Sequence, residues 1–134
     1  MTPSVAMILQ NHLVLAVHDL EKSAGFFRQL GFAETDRPPG WVFLSRDNTM
    51  VMLGDCPGSL PAADLGDHSY VSYFRVDDVD AYHDAVVAAG LEAPAPQDKP
   101  WGLREFAVRS PEGHRITIGQ SLSPDGADGG DRQG

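Results

Sequence analysis

Lysine is nearly missing from this 134-residue chain, which has only Lys22 and Lys99 and carries 19 Asp and Glu, for a formal net charge of -9. Phosphate binding requires a basic face, so nucleic acid is excluded as a partner. Cysteine is scarcer still. Cys56 alone cannot form an internal disulfide, and Pro57 and Gly58 beside it place it in a loop. No apolar run reaches the length of a membrane span, and Met1 to Gln10 lacks the basic-then-apolar order of a signal peptide, so a cytoplasmic protein without membrane contact is expected. Several chemical motifs are absent too: there is no Gly-rich phosphate loop, no nucleophile elbow and no pair of carboxylates embedded in apolar strands. Asp77-Asp78 is such a pair on paper, but its place between a strand and a helix makes Asp78 a cap. The acidic balance favours cationic small ligands by steering, and it equally serves a solvated surface.

What remains is an ordinary composition, 42% hydrophobic and 22% charged, in a chain long enough for one domain and one core. His12 to Val17 reads as a strand, Asp19 as the N-cap of a helix over Leu20–Leu30, and Gly31 as its stop. Phe32 to Arg37 follows as a short strand ended by Pro38-Pro39-Gly40. Trp41–Ser45 and Thr49–Leu53 then form a hairpin around Arg46-Asp47-Asn48. Residues 55–67, rich in Pro, Gly, Ala and Asp, read as a linker or an ordered crossing loop. The grammar then repeats: strand Tyr70–Val76, cap Asp78, helix Val79–Ala89, stop Gly90, a Pro-broken strand Glu92–Gln97, and a hairpin of Arg104–Arg109 and Arg115–Ile118. Val17, Asp19 and Gly31 match Val76, Asp78 and Gly90 at one constant offset, an internal duplication. The expected fold is α+β. Two βαβββ modules, about 11–54 and 68–120, form curved mixed sheets around a cleft, with helices outside and all of 1–120 in one domain. Residues 121–134, mostly Gly, Asp and Ser, are expected to be a disordered tail.

Three stretches carry a resemblance: His12-Leu-Val-Leu-Ala-Val-His-Asp-Leu, Val76-Asp-Asp-Val-Asp and the turn Ser110-Pro-Glu-Gly. They resemble the vicinal oxygen chelate superfamily, which includes glyoxalase I, extradiol dioxygenases, fosfomycin-resistance enzymes and bleomycin-resistance proteins. Within it, Pro100-Trp-Gly-Leu-Arg-Glu-Phe-Ala-Val-Arg is similar to a Pro-Trp-Gly-Arg-Glu-Phe-Ala run of bleomycin-binding proteins, with Leu103 as an insertion. The resemblance implies a homodimer whose clefts are completed across subunits.

It also says where a catalytic metal would sit, on the first and last strands of each half. His12 is a suitable ligand there; Val71, Thr117 and Met52, at the matching positions, are not. His68 falls outside the register unless a bulge intervenes. No metal or other cofactor is therefore expected, and His18, His83 and His114 are read as surface residues. The alternative is a metal-dependent glyoxalase- or dioxygenase-like enzyme with a non-standard ligand set, for which His12 with Glu105 is the available pair.

With His12 and Thr117 inward, alternation puts Val14, Met52, Val71, Tyr73, Arg75, Glu105 and Ala107 on the cleft side. Leu13, Leu15, Phe74, Phe106, Val108, Ile116 and Ile118 then face the helices. By resemblance Trp41 and Trp101 sandwich a flat heteroaromatic group; Trp41 serves equally well to seal the core or an interface. The facing of Phe43 stays open, because it depends on the loop length at Asp47-Asn48. The expected function is sequestration of a small, cationic or aromatic, antibiotic-like ligand, bound by Trp101, Glu105, Trp41, Tyr73, Met52, His12, Thr117 and Arg75.

Overall fold

The structure, a computed structural model, describes residues 6–123. The expected tail therefore lies outside the described residues from 124 onward, while Ser121 still belongs to the last strand.

The first module runs β1 (His12–Val17), α1 (Leu20–Gln29), β2 (Ala33–Asp36), β3 (Trp41–Arg46) and β4 (Thr49–Asp55). The second runs β5 (Tyr70–Arg75), α2 (Val79–Ala88), β6 (Gln97–Asp98), β7 (Leu103–Arg109) and β8 (Arg115–Ser121). The same local chemistry starts both helices. The Asp19 and Asp78 carboxylates accept the backbone N–H of Lys22 and Ala81, each at 3.0 Å, which satisfies orphan donors of the first turn.

Each module forms a four-stranded mixed sheet, in the order β1-β4-β3-β2 and β5-β8-β7-β6. In both, the first strand pairs in parallel with the last. The chain is thus an α+β protein of two βαβββ modules. Its core is continuous across them: Phe26, Phe27 and Leu30 of α1 and Val86 of α2 are buried with Leu53, Val42, Ile116 and Ile118 of the sheets. Leucine, isoleucine and phenylalanine alternate with smaller or polar residues along the strands, so one face of each sheet enters this core and the other stays open.

Two contacts lock the modules together. The C-terminal carbonyl of α1, Leu30 O, accepts the Tyr82 hydroxyl at 2.5 Å and Arg46 Nη1 at 2.7 Å, and the Arg46 guanidinium lies over the Tyr82 ring. At the other end of α1, Glu112 from the β7–β8 turn takes the backbone N–H groups of His18 and Asp19 at 2.7 and 2.8 Å and the Ser23 hydroxyl at 3.2 Å.

The connection is an ordered crossing, in which Ala62–Ser69 winds into 3-10 turns broken at Gly66. These pack on the β7–β8 turn, where a Cβ at Gly113 would stand 2.8 Å from Ala63 N. The strand expected over Glu92–Gln97 shrinks to Gln97–Asp98, since Pro94 and Pro96 offer no N–H to β7. Finally, β5 carries a bulge: Tyr70 pairs with Arg115 and Ser72 with Ile116, so Val71 is extra.

Candidate functional site

Glu105 projects from β7 on the face opposite the buried Phe106 and Val108. Tyr73 reaches it from β5, two strands away, donating its hydroxyl to Glu105 Oε2 at 2.6 Å. The phenol must cross β8 to get there, and it does so over Gly119, the cross-strand partner of Glu105. A Cβ at Gly119 would stand 1.9 Å from the Tyr73 hydroxyl oxygen, so the close approach itself requires glycine. Trp101 Nε1 points at the same carboxylate oxygen from 3.5 Å, at the long limit of a hydrogen bond. Its indole is 59% exposed in the turn that precedes β7, where Gly102 holds φ 87.

One oxygen of Glu105 thus takes two donors. Among the described residues nothing donates to the other. Burial, aided by the bond to Glu105, pushes the Tyr73 phenol well above its ordinary range, so at neutral pH it stays protonated and donates to Glu105. An aromatic plane beside a carboxylate with a free lone-pair face suits a cationic or donor-bearing aromatic ligand. Lys99 holds its ammonium 6.0 Å from the Trp101 ring centroid and defines that edge of the site.

The other expected site residues are placed as follows. Thr117 is 4% exposed and gives its hydroxyl to Tyr70 at 2.8 Å. The bulge thus hands to Tyr70 the inward position expected for Val71, which packs against the core instead. His12 is exposed, with Nε2 3.0 Å from Gln10 Oε1. His12, Tyr73 and Arg75 line a cleft of about 1120 Å³ between β1, the β3–β4 turn, β5 and α2. Trp41 and Met52 lie on the open face of the first sheet. Arg46 pairs with Thr49, a two-residue loop at Asp47-Asn48, which puts Trp41 and Phe43 on the face opposite the fully buried Val42 and Leu44. The Trp41 ring covers Gly54 and meets Phe43 edge-on at 6.1 Å. It therefore does not seal the core. Trp41 and Met52 belong to the first sheet, whereas Glu105, with Trp101 in the turn before it, belongs to the second.

As metal ligands the four positions form a poor set. Met52 offers a thioether, Val71 offers nothing, the Thr117 hydroxyl is committed to Tyr70, and only His12 brings an imidazole. These residues do not fit a hard or borderline divalent ion.

Two histidines differ from expectation. His114 is 7% exposed, its Nδ1 3.2 Å from Ser110 Oγ, and burial lowers its pKa. His83 packs edge-on against Phe106 at 5.2 Å. The turn residues Ser110 and Glu112 do more than form the turn the sequence indicated, for nothing in the sequence pointed to helix α1 as the partner of Glu112.

The chain is thus a duplicated βαβββ protein with one helix per sheet and an open sheet face that carries aromatic and acidic side chains. Residues 9–118 match the model of the Glyoxalase/Bleomycin resistance protein/Dioxygenase superfamily, and the chain belongs to that superfamily. It is 25% identical over 115 residues to a bleomycin resistance protein of Klebsiella pneumoniae, covering 80% of this chain and 88% of that one. Among solved structures, a bleomycin-binding protein complexed with bleomycin is similar at a TM-score of 0.70 and 25% identity, over 84% of this chain and 98% of the other. TnmS3, an antibiotic binding protein from Streptomyces sp. CB03234, is similar at a TM-score of 0.67 and 26% identity, over 87% of this chain and 99% of its own.

Proposed function

We propose that the protein is a cytoplasmic binding protein that sequesters a small antibiotic-like molecule with a cationic, flat aromatic portion, and that it does so without a catalytic metal or chemical turnover. The observation that carries this reading is the Trp101–Glu105–Tyr73 group, held in place by the glycine at position 119. A ligand ring stacks on the exposed indole while its positive or N–H group meets Glu105. The relatives that bind bleomycin or another antibiotic support the ligand class. The poor donor set around His12 supports binding without metal.

The second half of the site comes from a second copy of the chain. Trp41, Phe43 and Met52 form an aromatic and thioether surface on the first sheet, and Trp101 and Tyr73 one on the second. A homodimer that sets the first sheet of one copy over the second sheet of the other brings them to opposite sides of one ligand. Cells expressing the protein should survive bleomycin-type glycopeptides, and the drug should be recovered chemically unchanged from the purified complex. A modified drug, or a stoichiometric divalent ion lost on His12→Ala, would overturn the reading in favour of an enzyme.

A further inference from the structure

The open face of the second sheet has a charge at each end. Along β7, Leu103, Glu105, Ala107 and Arg109 share that face, since Phe106 and Val108 enter the core. Arg109 stands directly across from Arg115 on β8. Like charges at directly opposed positions destabilise a sheet, so such a pair invites an anion. Arg115 is held rigidly: Nε donates to Ser69 Oγ at 2.8 Å, Nη2 to Gly66 O at 3.2 Å, and its guanidinium lies over the Tyr70 ring at 4.3 Å. Asp67, 3.6 Å from it, is fully solvated and screens little of its charge. Arg109 has one long bond, to Gly113 O at 3.5 Å. Arg109 and Arg115, with Tyr70, Ala107 and Glu92, line a cavity of about 580 Å³.

We propose that this cavity is a second subsite of the same binding face, and that it takes the carboxylate of an elongated zwitterionic ligand whose cationic aromatic end lies at Trp101 and Glu105. The inference rests on the binding reading given above and extends it to the ligand's other end. Four steps along the strand separate Glu105 from Arg109, roughly 13 Å. Between them the face carries the small Ala107, and beside it the half-exposed Tyr70 ring, which covers Thr117, offers an aromatic surface to a ligand body. Arg115, fixed by its own hydrogen bonds, supplies preorganised charge, and Arg109 supplies a free fork for a carboxylate.

The test uses the full-length protein and two probes, 4′-(trimethylammoniomethyl)biphenyl-4-carboxylate and its methyl ester. They differ only in the charge at the far end. Calorimetry should find the acid bound about tenfold more tightly than the ester, the scale of one charge-assisted contact. Arg109→Gln should bring the acid down to the level of the ester, and Glu92→Gln should tighten the acid further. Trp101→Ala should weaken both probes. Equal binding of acid and ester to the unaltered protein, or a preference that survives Arg109→Gln, would overturn the subsite and leave the Trp101 site standing. Binding of neither probe would overturn both.

Discussion

Gly119 shows how one missing side chain organises a site. The Tyr73 phenol occupies the volume where a Cβ would be, and this lets it bridge β8 to Glu105. Gly119→Ala should therefore cost about 1–3 kcal/mol in urea denaturation, the range for overpacking. In a Tyr73→Phe background, which removes the clashing oxygen, the cost should fall. His114 makes a second residue-level prediction. Its imidazole is buried, so the folded state holds its pKa below the ordinary 6.5. As pH drops past 6.5 the unfolded chain takes up the proton first, and stability is lost from there down toward the lowered folded value. Urea midpoints measured between pH 7.5 and 5 should show this decline, and His114→Asn should flatten it. Neither residue announced its role. Gly119 reads in the sequence as an ordinary strand glycine, and His114 follows a turn where exposure is the default; only the packing of another element fixes either role.

At the scale of elements, much was legible because it is local. Asp19 and Asp78 as caps and Gly31 and Gly90 as stops are chemistry that needs no tertiary context, and both helices begin and end as these residues require. The β5 bulge was not legible. Nothing about Val71 distinguishes it from a ladder residue, yet skipping it turns Tyr70 toward Thr117. The Ser110–Gly113 turn was recognised as a turn from Pro111 and Gly113, but its reach was not, because the partners of Glu112 lie some 90 residues away in sequence. Glu112→Ala leaves the His18 and Asp19 N–H groups without their acceptor at the positive end of α1. The expected loss is about 1–3 kcal/mol, read as a lower thermal midpoint, whereas Glu112→Gln keeps an acceptor and should lose less.

For the whole molecule, the duplication stands out in the sequence because two half-domains obey one grammar. The arrangement of their open faces does not, since no residue in either half states what covers it. The structure puts Trp41 and Met52 on the open face of one sheet and Trp101 and Glu105 on that of the other, and a chain with a net charge of -9 attracts cations at long range. On this account the protein in solution is a dimer, and ligand should stabilise it against dissociation in sedimentation experiments. Affinity should fall as ionic strength rises, because part of the attraction is long-range.

In the proposed complex a cationic aromatic ligand is held at Glu105 beside Trp101. Calorimetric titration with metal-free bleomycin, comparing the unaltered protein with Glu105→Gln, tests it most directly. The account predicts saturable binding that weakens about tenfold or more in the variant, with Tyr73 left in place by the isosteric amide. Equal affinity in the two proteins would contradict it.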